Sequence, residues 1–164
     1  MTKEQFIKEL EIVQEPLRRF LHGLCGGDSF KADDLAQEAM LKAYLSFAKY
    51  EGRAKFSTWL FRIAYNCYFD QYRHCPDVDE TSVEKVQNNI RDGRECDYKF
   101  EYQQLYMAIA NLSPVEKSVI LLFYMEEKSI KEIGIIMDMP AGTIKSHLSR
   151  ARNHLKDYLE TKSV

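Results

Sequence analysis

The sequence predicts an all-α protein: two small helical domains joined by a flexible acidic linker, the second ending in a helix-turn-helix. On both sides of the linker apolar residues recur every three or four positions, which is the period of amphipathic helices, and no segment alternates convincingly at period two. The middle of the chain is acidic and poor in large apolar residues, as linkers are. We therefore expect domains at residues 1–74 and 97–164, with the linker at 75–96.

Three helices are expected in the first domain. The first is interrupted by Pro16, whose ring removes a helix hydrogen bond, so a bend is expected there. The third is expected to begin at Ser57, a residue type that caps helix N-termini. The expected ranges are 6–24 for the first helix, from 32–34 to 47 for the second, 50–55 for a polar loop and 57–73 for the third.

The second domain carries two clear helix-start signals. Ser113, Pro114 and Glu116 combine an N-cap, a proline at the first helical position and a capping-box glutamate. Ser129 and Glu132 repeat the capping box. Two short helices with a tight turn between them, the second helix basic, are typical of a helix-turn-helix. The expected helices are 105–112, 114–125, 129–137 and 141–159, with the turn at 138–140.

The composition excludes several classes of protein. No apolar stretch reaches the roughly 20 residues that a membrane span needs, and the N-terminus lacks the pattern of a signal peptide, so we expect a cytoplasmic protein. The four cysteines form no Cys-x-x-Cys pair, which argues against a zinc site and a disulfide framework. Without a glycine-rich phosphate loop or metal-ligand spacing, we expect no enzyme, no cofactor, no metal and no small-molecule substrate.

The formal net charge of −2 hides a local basic helix. Residues 141–156 carry four lysines and arginines and no acid, whereas residues 75–101 carry four basic and eight acidic groups. On a helical projection the outward face of the last helix is polar and cationic, as major-groove reading requires. A solvated basic face is the alternative. The outward residues are Lys145, Ser146, Ser149, Arg150 and Asn153, flanked by Arg152 and Lys156 where phosphates would run.

The third helix combines a core face with a second face of aromatic and basic residues. Aromatic rings interleaved with arginines are typical of surfaces that stack on single-stranded nucleic acid. The alternative is a helix buried on both sides in a bundle. The second face contains Phe61, Arg62, Tyr65, Asn66, Phe69, Tyr72 and Arg73.

The second helix places two leucines among polar residues on its outer face. Leu41 and Leu45 share that face with Asp34, Gln37 and Glu38. Apolar residues on an expected solvent face indicate a protein-docking patch. The alternative is that the first helix folds over them.

Three segments in this order resemble the extracytoplasmic-function (ECF) class of bacterial RNA polymerase sigma factors, of the sigma-70 family. Residues 33–44 resemble region 2.2 of that family, residues 56–66 resemble regions 2.3 to 2.4, and residues 140–152 resemble the recognition helix of region 4.2. The resemblance covers both domains and leaves out only the linker.

The resemblance implies a role in promoter-specific transcription initiation. Core RNA polymerase would be bound through its clamp helices and flap, promoter DNA would be the second partner, and an anti-sigma factor, often membrane-bound in this family, would control the chain. The loop at residues 50–55 maps to the family's loop that captures a flipped base. By resemblance, polymerase would be bound by Asp34, Gln37, Glu38 and Leu41; the minus-ten element by Tyr50, Arg53, Phe56, Trp59, Arg62 and Asn66; and the minus-thirty-five element by Lys145, Ser146, Ser149, Arg150 and Arg152.

A helix-turn-helix regulator that binds duplex DNA without replacing the sigma subunit is the alternative function. It would leave the aromatic and basic face of the third helix and the Leu41–Leu45 patch unexplained. The linker is also long enough for two separate DNA contacts, since its 22 residues reach at most about 70 Å when extended.

Overall fold

The computed structural model describes residues 1–74 and 100–162, and every regular element within those ranges is helical. The all-α prediction is therefore confirmed for the described residues, whereas the predicted linker lies outside them. The N-terminal bundle contains α1 (Lys3–Leu24), α2 (Ser29–Ser46), a 3-10 turn (Phe47–Lys49) and α3 (Phe56–His74). The C-terminal bundle contains α4 (Phe100–Ala110), α5 (Pro114–Ile120), which continues as a π-helical turn (Leu121–Met125), α6 (Ile130–Met137) and α7 (Ala141–Lys162).

The helix starts in the N-terminal bundle differ from the predicted ones at two places. Helix α2 begins at Ser29 because the Asp28 carboxylate accepts a hydrogen bond from the Lys31 amide at 3.2 Å, an N-cap that the pattern of early carboxylates did not reveal. Helix α3 already begins at Phe56, so the prediction that Ser57 is its N-cap is wrong. Helix α1 runs through Pro16 without ending there.

The predicted caps of the C-terminal bundle are confirmed in one case and half-confirmed in the other. Ser129 and Glu132 form a complete capping box, with each side chain accepting from the other residue's amide at 3.1 and 2.8 Å. Ser113 accepts from the Glu116 amide at 3.3 Å, but the Glu116 carboxylate instead contacts Nδ1 of His154 at 3.0 Å. The return half of that capping box is therefore absent.

Buried side chains of the two bundles form one continuous hydrophobic cluster. In the N-terminal bundle it includes Leu17, Phe20 and Leu60, and in the C-terminal bundle it includes Leu122 and Ile133. The bundles meet where α3 packs against α6 and where α1 packs against α5 and the π-helical turn. Within the described ranges, no helix is long and apolar enough to cross a membrane.

The turn between α6 and α7 depends on a close backbone approach. Asp138 ends α6 in the left-handed conformation with φ of 55°, and the Met139 amide donates to the Gly134 carbonyl at 3.0 Å. A Cβ atom on Gly134 would lie 2.8 Å from the carbonyl oxygen of Met139, which is a backbone atom and cannot move aside easily. Only glycine fits at residue 134 without displacing this turn.

Gly134→Ala is expected to destabilise the protein by about 1–3 kcal/mol, because the turn must shift although alanine favours the helix itself. Gly142→Ala is the matched control, since nothing lies within 4 Å of its Cβ position, and it is expected to be neutral or stabilising by up to about 1 kcal/mol. Urea unfolding of both variants measures the difference. Equal stability of the two variants would contradict this account of the turn.

Candidate nucleic-acid interface

The outward face of α7 is exposed as the sequence predicts. Ile144, Leu148 and Ala151 are buried against the rest of the C-terminal bundle, whereas the polar residues between them are exposed, apart from His147, which is half-buried. Hydroxyl, amide and cationic side chains therefore project from one side of an exposed helix, which is the composition that reads base edges in a major groove. The exposed candidates are Lys145, Ser146, Ser149, Arg150, Arg152 and Asn153.

Arg152 differs from the other candidates because it already has partners within the bundle. Its Nε donates to the Tyr124 hydroxyl at 2.6 Å. Its guanidinium also lies over the rings of Phe123 and Tyr124, at 5.6 and 5.5 Å from their centroids. The aromatic pair of the π-helical turn thus fixes this cation at the edge of the outward face, where it suits a phosphate better than a base.

On α3, the predicted aromatic face is only partly available. Phe61 is fully buried against Phe20, with ring centroids 5.4 Å apart, and Tyr65 is 7% exposed. Burial raises the pKa of Tyr65 to about 12 and keeps its hydroxyl neutral. The prediction that these two rings belong to an exposed stacking surface is wrong, and the alternative of a helix buried on both sides holds for them. The polar members of that face, Arg62, Asn66 and Arg73, are exposed, while Phe69 and Tyr72 are half-buried.

The loop before α3 is closed by Tyr50. The Tyr50 hydroxyl donates to the Ala54 carbonyl at 2.6 Å, and its ring lies 5.2 Å from that of Trp59. Gly52 adopts φ of +71°, a conformation that favours glycine, at the tip of this loop. Tyr50 and Trp59 are half-buried, so an aromatic pair lies where the resemblance places the captured base.

Two further loop-region candidates have opposite environments. Arg53 is 87% exposed in its side chain and pairs with Glu51 at 2.7 Å. Phe56 is only 5% exposed, and its ring packs edge-on against Phe6 at 5.6 Å. Phe56 is predicted to contact minus-ten DNA, and in this structure its ring lies in the core, next to the rings of Tyr50 and Trp59.

The outer face of α2 is exposed, so the alternative that α1 covers it is wrong. Leu41 and Leu45 are 58% and 74% exposed, and Asp34 and Gln37 are exposed beside them. Glu38 is half-buried, pairing with Lys42 at 2.8 Å and accepting from Gln71 of α3 at 3.3 Å. Its carboxylate is thus partly engaged within the bundle.

Sequence analysis missed one member of this outer face. Phe30 is 81% exposed and lies four residues before Asp34, on the same stripe of α2. It was missed because the predicted helix began three to five residues too late. The Asp28 N-cap ahead of Ser29 is the signal that would have extended the helix to include it.

The structure brings Arg62, one of the candidate minus-ten residues, next to the helix-turn-helix. Arg62 donates to the Ile135 carbonyl at 3.4 Å and lies 4.0 Å from Asp138 Oδ1. An open groove of about 450 Å³ lies beside this contact, and Arg62, Lys131, Met139 and Pro140 are among the residues that line it.

Lys55 pairs across the same junction with Glu132 at 3.1 Å. Burial raises the pKa of Glu132, but the hydrogen bond from the Ser129 amide and the Lys55 ammonium outweigh burial, so the net pKa is lowered. The carboxylate is therefore charged and holds Lys55 across the junction. Among the described residues, no cluster of His, Cys, Asp and Glu is arranged to hold a metal ion.

Comparisons with known proteins give matches to both helical bundles. The chain matches the family models Sigma-70 region 2 over residues 11–74 and Sigma-70, region 4 over residues 102–155. It is 28% identical to the ECF RNA polymerase sigma factor SigW of Bacillus subtilis, over 96% of this chain and 90% of that protein. It is 31% identical to the ECF RNA polymerase sigma-E factor of Escherichia coli K12, over 77% of this chain and 73% of that protein.

Solved structures show the same fold. The sigma factor RpoE of Bartonella quintana, in complex with the anti-sigma factor NepR, has a TM-score of 0.74 and 28% identity over 96% of this chain and 98% of that chain. CnrH, in complex with the cytosolic domain of CnrY, has a TM-score of 0.71 over 98% of this chain at 17% identity, a likeness of fold alone. The two family models and the identity with the sigma-E factors place this chain in the sigma-70 family, as an ECF RNA polymerase sigma factor.

Proposed function

We propose that this alternative sigma factor, which directs promoter-specific transcription initiation, engages its partners through three separate exposed faces. The observation that carries the proposal is the outward face of α7, where Lys145, Ser149 and Arg150 are exposed on the second helix of a capped helix-turn-helix. These side chains would read the minus-thirty-five element in the major groove, together with Ser146. Arg152 would hold a neighbouring phosphate.

The minus-ten element would be bound by α3 and its preceding loop. Arg62 and Asn66 are exposed one turn apart on α3, and Arg53 extends from the loop. Tyr50 and Trp59 would stack on a base that leaves the duplex, since aromatic rings and a nearby cation are suited to a flipped base. Phe56 would act only by supporting these rings.

Core polymerase would bind the outer face of α2. Two exposed leucines beside Asp34 and Gln37 form an apolar patch with a polar rim, which is the composition of a protein interface. Residues 1–74 would then serve as region 2, binding the clamp helices and the minus-ten element. Residues 97–164 would serve as region 4, with the polymerase flap as its partner, and 75–96 would connect them.

Control by an anti-sigma factor and action in the cytoplasm follow as further parts of the proposal. Sigma factors act with core RNA polymerase, which is cytoplasmic in bacteria, and the sigma factor RpoE has been solved in complex with the anti-sigma factor NepR. The chain itself would contribute binding rather than chemistry, without a cofactor.

Run-off transcription with core RNA polymerase tests the proposed function. Core polymerase with this chain is expected to give transcripts that start at defined promoters, whereas a regulator that binds duplex DNA without replacing sigma gives none. The templates carry random upstream sequences, so that transcription itself selects the promoters that this chain recognises. Absence of any transcript with folded chain and active core would refute the proposal.

Asn66→Ala is expected to impair promoter opening, because an exposed amide that hydrogen-bonds a base contributes about 1–3 kcal/mol. Permanganate reactivity of thymines in the minus-ten region measures the opened fraction. Asp70→Ala is the matched control, since Asp70 is also exposed on α3 but is not among the proposed contacts. An unchanged footprint with Asn66→Ala would remove Asn66 from the proposed site.

A further inference from the structure

Tyr124 and Arg152 form a polar pair at the edge of the outward face of α7. The Tyr124 hydroxyl, on the π-helical turn, accepts a hydrogen bond from Nε of Arg152 at 2.6 Å. The guanidinium carbon of Arg152 also lies 5.5 Å from the centroid of the Tyr124 ring and 5.6 Å from that of Phe123. Two rings and one hydrogen bond therefore orient a cationic side chain that is itself exposed to solvent.

Neither side chain uses all of its hydrogen-bond donors in this contact. A guanidinium has five N–H groups, of which Nε supplies the one engaged here, and a tyrosine hydroxyl that accepts one hydrogen bond still has its own O–H to donate. Within residues 1–74 and 100–162, no carboxylate pairs with Arg152 and no second group bonds the Tyr124 hydroxyl. Tyr124 is 55% exposed, so a ligand can reach it. Because both side chains would donate, that ligand must supply acceptor oxygens.

Tyrosine as the partner of Arg152 preserves the positive charge. An aspartate or glutamate at residue 124 would neutralise the guanidinium, whereas a tyrosine hydroxyl accepts its hydrogen bond without carrying a charge. The first acidic residue of α7, Asp157, follows Arg152 by five residues and so lies off its i+3 and i+4 neighbours. The pair therefore combines an oriented cation with a neutral donor, which suits a phosphate group.

The π-helical turn explains how two adjacent rings reach one cation. The Glu126 amide donates to the Leu121 carbonyl at 3.0 Å, five residues back, so this turn contains more residues than an α-helical one. Successive side chains are consequently closer together around the axis, and the rings of Phe123 and Tyr124 lie 5.0 Å apart at 81°. Short π-helical segments occur frequently at functional sites. Here the turn places the Tyr124 hydroxyl on Arg152 of another helix.

The pair lies where the DNA backbone would run if α7 enters a major groove. Arg152 follows Lys145 by seven residues, which is two helical turns or about 10 Å along the axis, and lies within about 20° of it around the helix. A major groove is about 12 Å wide. When Lys145 reaches the base edges, Arg152 and Tyr124 therefore lie at the edge of the groove, where the phosphates are.

We propose that Tyr124 and Arg152 form a binding site for a single phosphate of the DNA backbone, with the Tyr124 O–H and the terminal N–H groups of Arg152 donating to its oxygens. This inference rests on the proposed reading of the minus-thirty-five element by α7, and it adds Tyr124, which precedes the helix-turn-helix, as a residue that contacts DNA. The site recognises a phosphate and no base. It therefore fixes how α7 lies in the groove and contributes equally on every promoter.

Holoenzyme assembled from core polymerase and the full-length chain tests the site on promoters selected by run-off transcription. Tyr124→Phe keeps the ring and removes only the hydroxyl, whereas Arg152→Ala removes the cation. Tyr106→Phe is the matched control, because it removes the hydroxyl of another tyrosine of the C-terminal bundle, one that is 36% exposed. Circular dichroism confirms native helicity of each variant, and fluorescence anisotropy then measures binding of labelled promoter DNA.

Tyr124→Phe is expected to lower promoter affinity by roughly three- to tenfold, and Arg152→Ala by roughly tenfold. Each loss is expected to be the same on promoters that differ at single minus-thirty-five positions, since no base is read. The double variant is expected to bind about as weakly as Arg152→Ala alone, because the two side chains act on one phosphate. Tyr106→Phe is expected to bind like the parent chain.

Neutral methylphosphonate linkages, placed one at a time along each strand of the minus-thirty-five region, locate the phosphate. One linkage is expected to weaken binding of the parent chain by roughly three- to tenfold and to have little effect on Arg152→Ala, which has already lost that contact. If every linkage weakens the parent chain and Arg152→Ala by the same factor, the phosphate site is overturned.

The other outcomes overturn the proposal in different ways. Losses that depend on the promoter sequence would make Tyr124 a base contact, and losses that multiply in the double variant would make the two side chains independent contacts. An equal loss of affinity for core polymerase without DNA would assign the hydroxyl to a carboxylate of the polymerase. Parent-like promoter binding by Tyr124→Phe refutes the site alone, whereas absence of promoter binding by the parent holoenzyme refutes the proposed function and the site with it.

Discussion

Replacing Leu41 and Leu45 by alanine is expected to weaken binding to core RNA polymerase by roughly 30- to 100-fold without destabilising the chain. The two leucines are 58% and 74% exposed, so their truncation leaves no cavity in the bundle. Burying a leucine at an interface contributes about 1.5–3 kcal/mol, and central apolar residues dominate such interfaces. A loss of about 2.0–2.7 kcal/mol corresponds to the stated decrease in affinity.

Ile12→Ala provides the control for this prediction. Ile12 lies on α1 with 72% exposure, so it presents as much apolar surface as Leu45 on a different face of the bundle. Fluorescence anisotropy with labelled chain and core polymerase measures both variants, and urea unfolding checks their stability. If the double variant binds core as tightly as Ile12→Ala does, the outer face of α2 is not the docking surface.

The helices that position these faces could be predicted because their signals are local. A capping box requires only residues three apart, and Ser129 with Glu132 forms one as expected. The outward face of α7 was also predictable, since an apolar stripe at helical spacing, including Ile144 and Leu148, fixes which side is buried. Local pattern and tertiary packing agree at these positions.

The parts that could not be predicted depend on residues distant in sequence. The spacing of Phe61 and Tyr65 fits either an exposed or a buried aromatic face. Both are buried, and Phe20 of α1 and Lys128 of the C-terminal bundle contact the Phe61 ring, so tertiary packing rather than spacing decides the outcome. Arg19 of α1 and Glu126 of the C-terminal bundle form an ion pair although they are 107 positions apart, so no periodicity or motif predicts the pair. The whole-chain charge likewise gave no indication that opposite charges meet across the two bundles.

Burial also separates residues that support the site from those that contact a ligand. Phe56 belongs to the segment that resembles the family's DNA-binding region, but its ring lies in the core beneath Tyr50 and Trp59. The motif does not reveal that the Phe56 side chain is buried, whereas the structure does. We therefore propose that Phe56 acts by positioning the rings of Tyr50 and Trp59.

Arg150→Ala is expected to abolish most discrimination among minus-thirty-five sequences, at a cost of about 1–3 kcal/mol on the preferred sequence and much less on a mismatched one. Arg150 is exposed at the centre of the outward face of α7, where a guanidinium can donate two hydrogen bonds to one guanine. Removing such a contact lowers affinity only where that guanine is present. Run-off transcription from paired promoters that differ at single minus-thirty-five positions measures the ratio.

Lys156→Ala is the control that distinguishes base reading from charge. Lys156 is exposed further along α7 and makes only a 3.9 Å pair with Glu160, so it is expected to contact a phosphate. Its loss is expected to weaken binding to every promoter by a similar factor and to reduce the salt dependence of binding by about one counterion. If Arg150→Ala behaves in the same uniform way, Arg150 contacts the phosphate backbone, and sequence reading must be assigned to Lys145 or Ser149 instead.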